Sequence, residues 1–346
     1  MPGKNKNRIK LSVAIPTYNG AQYIREALGS IISQLDDIDE GVEIVISDNA
    51  STDQTPEIIR EYQQKYSFIK YFRNTENLGP DSNFNLAIRR STGEFVWLFS
   101  DNDKLKPGAI KKVLDVLKNY PELAAIFVNW SSYDDTGKCD SQPVIRTQKD
   151  ILFRTADDFL FNIRLNATFV SSDIVRRSLW EQAHPEIYIG TSWIQYAALL
   201  TLIRDHHSYC IAESYVMHMS RGGHKYIRLG DSSEKSMRCA ASLMEILNGL
   251  KEKGYSKKSI NKVIGVALHH LPMEIVVYKK NGLTLKKSLI KNMITQFKFY
   301  PSFWLIDLPL LVIPDIFHKI VFKIYKIGLI NKVYRKIMSK CSLFFH

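Results

Sequence analysis

Residues 42–66, VEIVISDNASTDQTPEIIREYQQKY, decide the fold. Val42–Ile46 is a short run dominated by β-branched residues, the pattern of a strand buried on both faces. The polar stretch Ser47–Asp53 breaks it, and Thr55 followed by Pro56 suits an N-cap and the first helical position. The same strand, turn and helix recur on either side. Upstream, the strand Leu11–Ile15 ends at Pro16 and precedes an amphipathic helix over Ala21–Gln34. Downstream, Ile69–Phe72 leads to a helix over Asp81–Arg90. Phe95–Phe99 leads to another from Pro107 to Lys118, and Leu123–Val128 continues the series. This alternation predicts an α/β fold with a mainly parallel sheet covered by helices on both faces. In such sheets ligands bind beyond the carboxyl ends of the strands.

From about Asn129 to Arg228 the pattern is mixed. It predicts a hairpin turn at Tyr133–Cys139, helices over Ala156–Arg164, Ser172–Gln182 and Gly190–Ile203, and a strand over Ser208–Glu213. From Asp231 to Lys280 the periodicity is helical, interrupted near Gly254. The expected division is an α/β domain over residues 1–228, with halves 1–128 and 129–228, then a helical region over 229–346.

Charge marks off the end of the chain. Of the net +12, nine charges lie from Leu283 onward, where eleven lysines and arginines face only Asp307 and Asp315. A basic nucleic-acid binder would not concentrate its charge in a tail, so no nucleic-acid partner is expected. The apolar stretch Phe303–Ile313 is far short of the roughly 20 residues a spanning helix needs. Beyond it, Lys319, Lys323 and Lys326 recur among Ile316, Phe317, Ile320, Phe322 and Ile324. That pattern, within a tail of about residues 283–346, fits a helix lying in the interface of an anionic membrane. The alternative is a basic helix packed on the rest of the protein or in an oligomer. Cys139, Cys210, Cys239 and Cys341 form no Cys-x-x-Cys pair. A disulfide scaffold and a thiolate zinc site are therefore not expected, and a cytoplasmic location is. The start, MPGKNKNRIKLSVAIPTYN, reads as a first strand rather than a secretory signal.

Four polar turns follow the four strands: Pro16–Gly20, Ser47–Asp53, Arg73–Pro80 and Ser100–Asp103. In a parallel sheet they face one crevice. Asp101 and Asp103 in the last turn point to a hard divalent cation, Mn2+ or Mg2+, which takes one or two carboxylates plus a phosphorylated substrate. Asp-x-Asp alone is weak, because aspartate is a common turn residue; the strand before it and the three partner turns give it weight.

The ordered series IPTYNG, ISDNASTDQT, NLGPDSNFNLA and FSDNDKLKPGA resembles family 2 glycosyltransferases of the GT-A fold, over roughly Lys10 to Val128. NLGPDSNF and SDND are similar to the bacterial O-antigen and capsule branch, which includes abequosyltransferase-like enzymes. The resemblance implies a nucleotide-sugar half over 1–128 and an acceptor half over 129–228. It implies that Pro16, Thr17, Tyr18 and Asn19 contact the nucleotide and that Asp48 holds the base or ribose. It also implies that Asp101, Asn102 and Asp103 bind the metal and sugar diphosphate. Arg73 and Asn77, in the third turn, join the candidate substrate contacts. The implied activity is transfer of a sugar from a nucleotide-diphosphate sugar to a saccharide acceptor. With the basic tail, a lipid-linked acceptor and a place on the inner face of the plasma membrane are expected.

The chain departs from the family where an acceptor-side carboxylate is usual. Tyr188–Gln195 has none, so Glu186 is the candidate base, its alternative being a solvated loop residue. In VMHMSRGGHKY, His218 or His224 could complete the metal sphere, His224 being the choice carried forward. Arg221 could pair with the diphosphate. Trp130, Trp180 and Trp193 could stack on a sugar, although core packing is commoner. Two rivals remain: a non-catalytic sugar-nucleotide-binding scaffold, and a nucleotidyltransferase, whose Gly-rich basic signature PTYNGAQ lacks.

Overall fold

In the computed structural model, described for residues 9–36, 38, 41–134, 136–139, 141–219, 233–280, 286–314 and 317, the alternation becomes a single sheet. The chain begins with β1 (Ile9–Thr17), α1 (Ile24–Ile32), β2 (Gly41–Asp48), α2 (Thr55–Lys65), β3 (Ile69–Arg73), α3 (Pro80–Arg90) and β4 (Phe95–Leu98). It continues with β5 (Lys104–Leu105), α4 (Ala109–Asn119), β6 (Ala125–Tyr133), β7 (Ile151–Phe153), α5 (Ala156–Ile163), β8 (Asp173–Arg176), α6 (Arg177–Gln182), α7 (Ile194–Leu202) and β9 (Ser208–Met219). Among the described residues the strand order is β3-β2-β1-β4-β8-β6-β9-β5, with β7 on β9.

The first four strands pair in parallel. Their central members are buried almost throughout, as helices on both faces require. Leu11, Val13, Ile15, Ile44, Ile46 and Trp97 pack with α1 and α4 residues such as Leu28 and Val113 into the main core.

Two departures from the sequence reading shape the site. Ser172–Gln182 does not form one helix. Its first residues are β8, antiparallel between β4 and β6, and only Arg177–Gln182 is helical. The segment is amphipathic at either period, and a free place beside β4 settled it as a strand. The strand expected at Ser208–Glu213 runs on to Met219, because β9 pairs with β5, β6 and β7. At α2, Thr55 is already helical and Asp53 is the acceptor, taking the Thr55 N–H at 3.0 Å and its hydroxyl at 2.5 Å. The hairpin turn stands, closed by a Tyr133–Cys139 bridge.

The chain divides into two compact units, Met1–Tyr226 and Ile227–His346. The second contains α8 (Ser233–Gly249), α9 (Lys257–Lys280), α10 (Lys287–Phe297), a π-helical turn at Phe303–Asp307 and α11 (Leu308–Val312). No described helix is long and apolar enough to cross a membrane. The helix expected over residues 316–326 lies outside the described residues, except Phe317.

Candidate active site

Sheet register aligns the turns. Thr17 on β1 lies level with Asp48 on β2, and Asp48 with Arg73 on β3. On the other side of β1, Ala14 pairs with Leu98, so Phe99–Asp103 leaves β4 at the same edge. The turns bond to one another. The Asn19 N–H donates to Ser51 Oγ (2.9 Å), the Thr52 N–H to Asn19 Oδ1 (2.8 Å), and Asn49 Nδ2 to Asn77 Oδ1 (2.8 Å). Asn19 takes a left-handed φ of 54°, a conformation asparagine tolerates better than most residues. Tyr18, Asn19 and Asn77 are exposed along this edge, whereas Pro16 is buried in β1.

Asp48 is fully buried. Its Oδ1 accepts the Ser51 N–H (2.8 Å), its Oδ2 accepts the Tyr71 hydroxyl (2.7 Å), and Arg73 Nε stands 3.4 Å away. Burial and the Asp48 contact push the Tyr71 hydroxyl pKa up, so it stays a donor. Arg73 also donates to the Ser51 carbonyl (2.9 Å). Asp48 therefore ties β2, β3 and the second turn together. Tyr71 was not singled out in the sequence, where it reads only as a strand residue.

The fourth turn is built differently. Asp101 Oδ2 accepts the Thr17 hydroxyl at 2.5 Å. A Cβ on Gly20 would collide with that oxygen and with Thr17 Oγ1, so glycine is what lets the first turn approach the fourth. Burial, with the neighbouring Asp103 adding to it, pushes the Asp101 carboxyl up to about 6, against the Thr17 bond that pulls it down. Asn102 accepts the Ser100 hydroxyl (2.5 Å).

Asp103, 1% exposed, is placed by two later strands. Because β8 runs antiparallel to β4, the residues before it reach the carboxyl end of β4. There Ser171 donates its hydroxyl to Asp103 Oδ2 (2.6 Å) and accepts the Ser100 N–H (2.9 Å), and its carbonyl accepts the Trp97 indole N–H (2.9 Å). The two-residue β5 pairs Lys104 with Met217, so Asp103 falls opposite His218. His218 Nδ1 lies 3.0 Å from Asp103 Oδ1, and its ring packs edge-on against Phe169 and Trp130. Among the described residues, His218 is brought to the acid pair. His224 and Arg221 lie outside the described residues.

The acceptor-side candidates sit apart in character. Glu186 is exposed, 3.3 Å from the still more exposed His184, and its own backbone N–H and then that histidine hold its carboxyl below the ordinary range. Within Tyr188–Gln195, the loop before α7 is fixed by Asp81 at the start of α3, whose Oδ2 accepts the N–H groups of Gly190 (2.7 Å) and Ser192 (2.8 Å). Trp180 and Trp193 are core residues. Trp130 is partly exposed and packs against Phe169 at a tilt, ring centroids 4.5 Å apart.

Among the described residues no group of three or more His, Cys, Asp or Glu side chains forms a ready metal cage. A hard cation does not need one, since one or two carboxylates and a substrate's phosphates suffice. Asp101 and Asp103 fit that requirement: two neighbouring carboxylates, Asp101 pushed up by burial and by Asp103, with a histidine alongside.

Polar, acid-bearing turns after parallel strands, beside an antiparallel β8 whose preceding Ser171 bonds Asp103, are the arrangement of a GT-A fold. Residues 12–180 match the sequence profile of glycosyl transferase family 2, and the chain carries a domain of that family. It is 34% identical over 200 residues to the abequosyltransferase RfbV of Salmonella typhimurium, across 53% of this chain and 58% of that protein. The chain thus spans little more than half of that relative's length. Its fold is similar to Staphylococcus aureus TarS 1-349 in complex with UDP-GlcNAc (TM-score 0.53, 20% identity, 86% of this chain and 91% of that one). It is also similar to the mannosyltransferase PcManGT of Pyrobaculum calidifontis in complex with GDP-Man and Mn2+ (TM-score 0.50, 17% identity, 85% and 82% covered).

Proposed function

We propose that the protein transfers a glycosyl group from a nucleoside-diphosphate sugar to a saccharide hydroxyl, assisted by Mn2+ or Mg2+. The acceptor is carried on a lipid in the assembly of a bacterial surface polysaccharide such as O-antigen or capsule. The reaction takes place at the cytoplasmic face of the plasma membrane. The observation that carries this reading is the Asp101–Asp103 pair at the carboxyl edge of the sheet, with Asp101 held at about 6. Support comes also from the family domain and from the nucleotide sugars and manganese bound to structures of the same fold.

In the reaction the bond between the sugar's anomeric carbon and the diphosphate breaks, and a bond from that carbon to the acceptor oxygen forms. The acceptor proton passes to a base; Glu186, the candidate from the sequence, is exposed and its carboxyl lies below the ordinary range, which argues against that role. A cation shared between the Asp101–Asp103 pair and the substrate's own phosphates would stabilise charge building on the departing diphosphate, with His218 bonded to Asp103 beside it. Thr17 and Ser171 orient the two carboxylates, one from each side. Tyr18, Asn19 and Asn77 offer exposed polar groups to the nucleotide, and Trp130 offers a ring face to the acceptor. The test is to incubate the protein with a panel of nucleotide sugars, Mn2+ and lipid-extracted acceptors, measuring nucleoside diphosphate release. Turnover with at least one donor, lost in Asp103→Asn, is expected. Nucleotide binding without turnover on any donor would make the protein a binding scaffold instead.

A further inference from the structure

The helical unit carries an apolar face without an exposed charge. Across residues 299–314, FYPSFWLIDLPLLVIP, Asp307 is the one acid or base, and it is fully buried. Phe299 (73% exposed), Leu305 (64%), Val312 (63%) and Trp304 are out in solvent, with Pro301 and Pro309 beside them. The chain is helical from residue 301 to 312, through the π-helical turn and α11. Its exposed positions 301, 304, 305, 309 and 312 recur every three to four residues, while Ser302, Phe303, Asp307 and Leu311 turn inward. They make one stripe. Burial pushes Asp307 up to about 8, so at neutral pH the one acid beneath the stripe is mostly uncharged.

The neighbouring stretch, residues 286–298, supplies cations and no acid: Lys286, Lys287, Lys291 and Lys298 are all exposed. The Trp304 indole N–H donates to the Lys298 carbonyl (2.8 Å), and Lys298 Nζ lies 5.0 Å from the Phe299 ring centre. Contiguous apolar surface of this kind marks an interaction site. Two occupants compete. In a two-fold pairing with a second copy, the same lysine-bordered patch would meet itself and bring like charges together. A bilayer with anionic lipids offers apolar depth and negative charge at once. A helical run of 12 residues spans roughly 18 Å, short of a hydrocarbon core of about 30 Å, so it would lie along the surface.

We propose that this face docks on an anionic lipid bilayer, with Phe299, Trp304, Leu305 and Val312 entering the headgroup–acyl boundary and the lysines of residues 286–298 meeting lipid phosphates. The inference rests on the membrane-surface reading above and assigns the contact to residues 286–312 rather than 316–326.

Flotation of the full chain with phosphatidylcholine vesicles, and with equimolar phosphatidylcholine and phosphatidylglycerol, tests it. Binding to the anionic vesicles that weakens with salt is expected. The double variant Leu305→Asp/Val312→Asp should cut that partition by about tenfold or more, with unchanged circular dichroism and unchanged transfer to a water-soluble acceptor. Both positions are more than half exposed, so folding should tolerate the change. Lys287→Gln and Lys291→Gln should each reduce binding about fivefold. Brominated lipids should quench Trp304 fluorescence, and Trp304→Phe should remove that quenching. Wild-type flotation by the double variant overturns the assignment while leaving membrane association to another segment. Failure of the wild type to float on either vesicle overturns both. A double variant that loses only self-association makes the face a contact between copies, and the proposal fails. None of these outcomes alters the transfer assay, so the enzymatic reading stands or falls separately.

Discussion

Asp48 and the Asp101–Asp103 pair end neighbouring regions of one sheet, yet their surroundings are opposite. Asp48 is saturated: a backbone N–H, a phenol and an arginine surround a carboxylate with no exposed surface. Asp101 has only the Thr17 hydroxyl as a donor and a second carboxylate nearby; burial, with Asp103 adding to it, raises its proton affinity against the Thr17 bond. A buried carboxylate with its donors satisfied holds a fold together, whereas one pressed against another acid is left poised for a cation. The resemblance makes both turns ligand contacts; their surroundings instead favour a bracing role for Asp48 and leave the acid pair as the proposed cation site.

The sharpest test of that division is Asp103→Asn. The change keeps the side chain's shape and the Ser171 contact but removes the charge. Sugar transfer should fall by about 10²–10³-fold, the usual cost of losing one charge-stabilising group. The melting temperature should shift little. A variant with normal turnover would take the acid pair out of the mechanism. The mirror experiment is Asp48→Ala, which strands Tyr71 and Ser51 donors inside the protein. We expect a loss of about 2–4 kcal/mol, a melting temperature roughly 10 °C lower, and near-normal turnover by the molecules still folded. If calorimetry instead found full stability with nucleotide binding lost, Asp48 would be a ligand contact, as the family resemblance implies.

A third test uses pH. The folded chain holds a proton on Asp101 up to about pH 6, while in the unfolded chain an ordinary aspartate has released it by about pH 4. The folded state thus binds more protons between these values, and its stability falls as pH rises through that window and stays lower above it. Asp101→Asn should remove this slope and gain up to about 3 kcal/mol at pH 7, while losing transfer. Mn2+ with a nucleoside diphosphate should raise the wild-type melting temperature at pH 7 more than the variant's. Denaturant titrations at pH 4 and pH 7 read the slope directly. Parallel curves for the two proteins would mean that Asp101 is not strained.

Sequence legibility follows the same division. The strands and turns up to β4 repeat a local code, apolar run then polar turn then helix, and each could be read from its own residues. What completes the site is not local. Ser171 reaches Asp103 because β8 inserts antiparallel beside β4, and nothing in SSDIVRRSLWEQ distinguishes that strand from a helix before its partners exist. His218 reaches the same carboxylate because Lys104–Leu105, too short to register as a strand, pairs with β9. The sequence offers His218 only as an alternative to His224 in VMHMSRGGHKY, with nothing local to choose between them. Tyr71 gives no signal, since its role depends on lying beside Asp48 across the β2–β3 register.

The smallest expected effect concerns the acceptor side. Glu186 is more than half exposed, its partner His184 is still more so, and its carboxyl sits below the ordinary range. A base working near neutral pH is favoured by the opposite shift, the one burial gives Asp101. Glu186→Gln should therefore leave transfer within about twofold across pH 6 to 8, where losing a true general base costs about 10²–10⁴-fold. Initial rates under saturating donor, measured at several pH values, separate the two. A large loss together with a vanished acidic limb would return Glu186 to the mechanism and would require the Asp81-anchored Gly190–Ser192 loop to carry it toward the acceptor during turnover.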